Sequence, residues 1–300
     1  MQRDINLYEL PFNLGLTKKP HETEPGVKKL PDWLRKFGFH KEIRPKNIFR
    51  LNPPEYAMDF DPETGVRNAA QIVEYARKQS KLILDHFDRK TFNIILGGDC
   101  SILIGTALAL KKSGNFGLFY LDGHTDYIPS TLSPSGGAAG MDLAIVTGTG
   151  HEKLTDIDNL GPYFLEENIF CAGNAETDDE EYVEQILRSK IHYFDLYRLR
   201  KNGFRNTAEE FLRMIEKKAL DGFFIHFDVD VLSDEIMPAV DSRTEDGINY
   251  DNLREILRPL IHDDRCAGIE ITILDPDYDR DGRYTQLFVN NLIQIIKNKD

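Results

Sequence analysis

The chain has 300 residues, and 37 Lys plus Arg against 50 Asp plus Glu leave a formal net charge of −13 at pH 7. This length allows one large α/β domain or two small ones, and a hydrophobic fraction of 41% argues against a disordered or fibrous polymer. The acidity argues against nucleic acid or anionic membrane as the main partner, since both would be repelled, and suits a cationic small molecule.

Three cysteines, Cys100, Cys171 and Cys266, are too few and too scattered for a disulfide framework. The opening MQRDINLYELPFNLG has neither a basic n-region nor an apolar h-region. No run approaches the ~20 apolar residues that span a bilayer. A reducing, cytoplasmic location without a membrane partner is expected.

In chain order, residues 4–8 predict a first strand. Pro11, Pro20, Pro25, Pro31, Pro45, Pro53 and Pro54 then break the first 65 residues into pieces expected to wrap the sheet edge. A helix over 68–87 follows from the spacing of Ala69, Ile72, Val73, Ala76 and Ile83. Next come a strand at 93–96, a helix over 102–111 with Ser101 as its N-cap, and strands at 116–121, 168–171 and 192–194. A helix over 207–217 opens with Thr207 and Glu210 in capping-box spacing. It leads to a strand at 222–229, a helix over 249–262, a strand at 267–274, a helix over 285–297 and a solvated tail at 297–300. Most strands are continuously apolar, as a parallel sheet covered on both faces requires, and their alternation with helices gives a doubly wound α/β fold. With no repeat or linker visible, residues 1–300 read as a single domain.

Three of these strands end in acids. NIIL runs into Gly97-Gly98-Asp99-Cys100-Ser101, FGLFYL into Asp122-Gly123-His124-Thr125-Asp126, and GFFIHF into Asp228-Val229-Asp230. Ligands bind beyond the carboxyl ends of parallel strands. In extended chain, Asp122, His124 and Asp126 share one face, as do Asp228 and Asp230. Four carboxylates converging in a dry crevice repel one another unless a cation lies among them. Oxygen donors with one imidazole suit Mn²⁺, Zn²⁺, Fe²⁺ or Co²⁺ better than Ca²⁺, and bridging carboxylates make a two-metal site plausible.

GGDCS, DGHTD and HFDVDVLSDEIMPA resemble the three signatures of the ureohydrolases, the family of arginase, agmatinase and formimidoylglutamase. The resemblance runs from about Asp4 to the C-terminus. It implies a three-layer αβα sandwich with a mixed, mostly parallel sheet, and hydrolysis of guanidino or formimino groups by water activated between two divalent ions, by default Mn²⁺. Carried over by motif position, Asp122 and Asp228 bridge the metals, His124 and Asp230 complete one site, and Asp126 and Cys100 complete the other. Asp126 also orients the nucleophile. Homotrimers or homohexamers are implied by the same resemblance.

The departures from the family pattern are specific. Cys100 stands where the family carries His. A thiolate is softer and adds a negative charge, which tilts preference towards Zn²⁺, Fe²⁺ or Ni²⁺, and the helix start at Ser101 is expected to lower its pKa and support ligation. The alternative is a buried thiol with no metal contact. Residues 135–141 (SGGAAGM) resemble the family's substrate loop and make Ser135 and Gly137 substrate contacts. Ala139 stands where arginases carry a proton-shuttling His, leaving His151 as the nearest downstream candidate donor. Ile273 stands where arginases place the Glu that grips the guanidinium. Glu270, three residues earlier, faces the other side of a regular strand and reaches the substrate only through a bulge; Thr272 is a weaker polar contact. Asp178 is the candidate for holding an α-amino group.

The resulting expectation is a two-metal hydrolase that cleaves the guanidino group of an arginine-like substrate to urea and an amine. Alternatives are a hydrolase of formimino or modified guanidino compounds, such as hydroxyarginine or agmatine, and a catalytically silent relative serving as a binding or assembly subunit.

Overall fold

The computed structural model describes residues 3–297, so the expected solvated tail beyond residue 297 lies outside the described residues. Eight strands form the main sheet: β1 (Asp4–Glu9), β2 (Asn47–Arg50), β3 (Thr91–Leu96), β4 (Phe116–Leu121), β5 (Ile169–Ala172), β6 (His192–Phe194), β7 (Gly222–Asp228) and β8 (Cys266–Thr272). Their spatial order is β2-β1-β3-β8-β7-β4-β5-β6. Every pairing in it is parallel, in line with the mostly parallel sheet expected. A two-residue antiparallel pair, Phe60–Asp61 with Val66–Arg67, stands apart from it.

The apolar strands explain the layers. Every residue of β4 is buried, and its side chains alternate across the sheet. Phe119 and Leu121 pack into a core closed by the helices Phe204–Lys217, Tyr250–Ile261 and Arg283–Lys297. Leu118 and Tyr120 pack on the opposite side against the helices Ala69–His86 and Ile102–Ser113. Each fully buried Phe or Leu of these layers contributes about 1.5–3 kcal/mol relative to exposure. The result is the expected αβα sandwich.

Three local features differ from expectation. The edge strand β2 was not foreseen, because Asn47, Ile48 and Arg50 are exposed and leave no continuous apolar run. The strand β1 sits inside it, with Leu7 and Tyr8 fully buried. The helix predicted from Thr207 starts earlier, at Phe204, after Gly203 turns the chain with φ 87°. Thr207 is therefore interior, and its hydroxyl donates to the Gly203 carbonyl at 3.0 Å instead of capping. A capping box does form at Asn249, whose side chain accepts from the backbone of Asp251 and Asn252.

The strands β3 and β4 are consecutive in sequence, yet β8 and β7 lie between them. This reversal of strand order opens a crevice at the carboxyl ends of the four central strands, where a ligand site is expected in such sheets.

Candidate metal centre

The register stacks two side-chain rows on one face of the sheet. In the lower row Tyr120 is level with His226, and His226 with Glu270. One step towards the carboxyl ends, Asp228 is level with Thr272, and Asp122 follows the last paired residue of β4. The chain then folds back over these acids. Asp122 Oδ1 accepts from the His124 amide at 2.6 Å, Asp228 Oδ1 from the Asp230 amide at 2.8 Å, and Asp230 Oδ1 from the Gly123 amide at 3.0 Å. A Cβ on Gly123 would lie 2.8 Å from the Asp230 carbonyl oxygen, so this close crossing of two loops requires glycine.

Two groups of ligand-type atoms result, each within 4.8 Å of its fellows: Cys100, Asp122, His226 and Asp228 in one, and Asp122, His124 and Asp230 in the other. Asp122 is common to both. Its Oδ2 is buried with no hydrogen-bond partner, as are the Nε2 atoms of His124 and His226. Buried polar atoms are nearly always paired. Unpaired buried oxygen and nitrogen atoms within these two groups fit divalent cations.

The electrostatics agree. Burial, followed by the charge of Asp230, raises the Asp122 carboxyl above its ordinary range; burial with Asp230 and Asp122 raises Asp228 well above it. Burial and Asp122 do the same to Asp126. Burial opposes the charge on Asp230 too, but His124, with Nδ1 2.9 Å from Asp230 Oδ2, outweighs it and leaves Asp230 lowered. Burial likewise disfavours charge on His124, and Asp230 and Asp122 more than reverse this. Among the described residues no Lys or Arg is ion-paired with Asp122, Asp126, Asp228 or Asp230.

A cavity of about 350 Å³ opens onto this cluster, lined in part by Cys100, His124, Asp126, Asp228 and Asp230. Ser135 and Gly137 line its wall, as the loop resemblance implied, together with Ala139 and Ile273. Ile273 has φ 74°, which is strained for a β-branched side chain. Asp126 lines the cavity but belongs to neither ligand group. Its Oδ2 is 3.2 Å from the Tyr120 hydroxyl, which is 2.8 Å from Asp142 Oδ1.

Four expectations are corrected. Glu270 is fully buried in the row beneath the acids, with Oε1 2.7 Å from His226 Nδ1 and Oε2 accepting from Thr106 at 2.7 Å. The strand does shift register, but between Cys266 and Gly268, too early to turn Glu270 into the cavity. His151 begins the short helix Glu152–Thr155, where its Nδ1 accepts from Lys153 and its Nε2 lies 3.7 Å from Glu63, away from the cavity lining. Asp178 is exposed and does not line the cavity; Glu176 does, 3.8 Å from His124 Nε2. Ser101 makes no side-chain cap, because its hydroxyl donates to Asp99, and burial among Asp228, Asp142, Asp122 and Asp126 raises the Cys100 thiol well above its ordinary value. The residue that sequence reasoning missed is His226. The period of two that groups Asp228 with Asp230 also carries His226 on the same face, and that signal was available.

The sequence of the chain matches the family model described as the arginase family over residues 4–296. The chain belongs to the arginase family. An arginase of Bacillus subtilis is 33% identical over 254 residues, 83% of each chain. One of Brevibacillus brevis is 27% identical over 303 residues, 100% of this chain and 99% of the relative. The crystal structure of an arginase from Bacillus cereus superposes with a TM-score of 0.85 at 24% identity over 99% of both chains. A formimidoylglutamase of Bacillus subtilis gives 0.74 at 19% identity, covering 98% of this chain and 86% of that one. These structural likenesses carry the fold. This arginase-family member is thus a hydrolase of the ureohydrolase type, with an acidic cavity over a cluster of metal-type ligands. No helix among the described residues is long and apolar enough to cross a membrane.

Proposed function

We propose that this protein hydrolyses the guanidino group of an arginine-like substrate to urea and an amine, using two divalent ions at the carboxyl edge of the sheet. The observation that carries this reading is Asp122, which belongs to both ligand groups and so can join two ions. When bound, such a pair acidifies a shared water and supplies the nucleophile near neutral pH. The chain's own groups do the rest. Asp228 and Asp230 fix the remaining positions around Asp122, and Asp126 faces the cavity, placed to take one proton from the attacking water and return it to the leaving nitrogen. That return removes the need for a separate His where Ala139 stands. Carboxylates of Asp126, Asp228, Asp230 and Glu176 surround the cavity with negative potential that suits a guanidinium, and Glu176 is placed at the rim for an α-amino group.

A second reading is favoured by Ile273 and Ala139, which present apolar surface to the cavity where a carboxylate grip and a proton donor would be sought. That surface accommodates a formimino or modified guanidino group. The deciding experiment strips the protein of metal, restores Mn²⁺, Zn²⁺, Fe²⁺ or Ni²⁺ singly, and assays urea from arginine, agmatine, guanidinobutyrate and hydroxyarginine. Urea from arginine supports the first reading. Urea from a modified substrate alone, or formamide or ammonia from a formimino compound, supports the second, and no product from any substrate refutes both.

We also read the chain as one domain, because strands from Asp4 to Thr272 enter a single sheet. Cys100, Cys171 and Cys266 are buried and unpaired, in keeping with a cytoplasmic location. A homotrimer or homohexamer is the assembly we expect, to be checked by light scattering.

A further inference from the structure

We infer that His226 is a metal ligand, and that with Cys100, Asp122 and Asp228 it forms a thiolate–imidazole–dicarboxylate site selective for a thiophilic ion such as Zn²⁺. This rests on the two-metal reading above and changes the composition of one of its sites.

The ring of His226 is fully buried and stacked on Tyr120, with centroids 4.5 Å apart and planes 7° apart. Its Nδ1 is 2.7 Å from Glu270 Oε1, and Glu270 Oε2 is in turn held by the Thr106 hydroxyl, itself an acceptor from Gln79 at 2.9 Å. A carboxylate at Nδ1 fixes the tautomer with its proton there and leaves the Nε2 lone pair free. That Nε2 has no partner. Buried polar atoms are nearly always partnered, so a ring clamped this firmly with one bare nitrogen calls for a partner. The candidates around the ring are Cys100, Asp122 and Asp228, which with His226 each offer one ligand atom within 4.8 Å of the others. A carboxylate–histidine–metal relay is the arrangement by which proteins orient imidazole ligands.

Charge supports the same set. Cys100 thiolate with Asp122, Asp126 and Asp228 would put four anions around one dication and no neutral donor. With His226 in place of Asp126 there are three anions and one imidazole, and Asp126 stays outside both ligand groups as observed. Cys100 Sγ now donates to Asp228 Oδ2 at 2.7 Å, and coordination replaces that proton. A soft sulfur and a borderline imidazole prefer Zn²⁺ or Fe²⁺ to Mn²⁺. The other group, Asp122, His124 and Asp230, has no sulfur and selects less strongly.

The test uses the full-length protein, stripped with a chelator and reloaded with Co²⁺ without oxygen, reading metal content and the near-ultraviolet thiolate-to-cobalt absorption. The wild type is expected to bind two ions and show the band. His226→Gln should weaken the band-forming site at least ~100-fold and spare the other, and Glu270→Gln should weaken it by roughly 10–100-fold. A His226→Gln protein that binds two ions with wild-type affinity and an unchanged band overturns His226 ligation while leaving the two-metal reading intact. Two ions without the band in the wild type overturn the thiolate site. A wild type that binds no Co²⁺ overturns the two-metal reading itself. Where the variants do not fold, zinc K-edge absorption of the wild type decides: one sulfur at about 2.3 Å and two imidazoles per pair of ions are expected, and a spectrum without sulfur, or with one imidazole, refutes the assignment.

Discussion

Cys100 follows β3 and Asp228 ends β7, strands that are not neighbours because β8 lies between them, yet Cys100 Sγ is 2.7 Å from Asp228 Oδ2. The intervening strand contributes only the small Thr272 at that level, its hydroxyl 3.1 Å from the same sulfur. The thiol thus bridges a gap that an imidazole, being longer and rigid, would fill differently.

Replacing that thiol should change which ion is held. Cys100→His removes the soft anionic donor, and the affinity for Mn²⁺ relative to Zn²⁺ is expected to rise roughly tenfold. Competition titrations of stripped protein check this. Unaltered occupancy and preference would show that Cys100 touches no ion.

Asp122 belongs to both ligand groups, so its loss should empty both. Asp122→Asn is expected to leave less than one ion per chain by elemental analysis. The same variant has a second signature in metal-stripped protein. Burial and Asp230 raise the folded-state pKa of Asp122, so folding favours its protonated form. That contribution is complete below the ordinary carboxylate value and is lost as pH rises through the raised one. Stripped wild type should therefore lose thermal stability relative to Asp122→Asn as pH climbs above about 4. Parallel melting curves at all pH values would contradict the assignment of repulsion to this residue.

Ile273 lines the proposed substrate cavity. Its positive φ is strained for any side chain with a Cβ and most for a β-branched one, so Ile273→Glu relieves part of the strain and supplies the missing carboxylate. We expect a folded protein whose kcat/KM for unmodified arginine rises at least roughly tenfold, which corresponds to about 1.4 kcal/mol. A fall for arginine and for every modified guanidino compound alike would argue that residue 273 does not face the substrate.

Outside the cavity lining, Glu9 at the end of β1 is buried beside Arg35 at 2.5 Å, His40 at 2.8 Å and Arg50 at 3.3 Å. Burial raises its pKa, but His40 and Arg35 outweigh this, and the net shift is downward. Folding therefore favours the ionised form. Its contribution is present above the ordinary value near 4.5 and disappears as pH falls through the lowered one. Glu9→Gln should cost about 3 kcal/mol at neutral pH, at the low end for a broken buried pair because Arg35 and Arg50 are partly exposed. Denaturant melts at neutral and acidic pH should show that cost shrinking with acidity.

The sheet and its acid-bearing ends were legible because buried parallel strands write themselves as apolar runs, and β4 was read to the residue. The edge strand β2 was not, since three of its four side chains face solvent and its pairing is decided by Asn6 and Leu7 of a distant segment. Glu270 shows the limit of parity: it shares a face with Thr272, level with Asp228, but lies one step below that row, level with His226, and so points under the acids instead of into the cavity. His226 was hidden by its surroundings. Inside GFFIHF it reads as one more core residue; its parity with Asp228 was visible in the sequence, and its level with Glu270 across β8 was not.

The ligands lie after three strands whose order in space is not their order of synthesis. Cys100 and the Asp122–Asp126 segment leave the ribosome long before Asp228 and Asp230, and β8 must still slot between β3 and β7. No nascent fragment can present a complete pair of ion positions. On the proposed reading both ion positions are complete only once β7 has joined the sheet, so protein folded without metal is expected to be an inactive precursor.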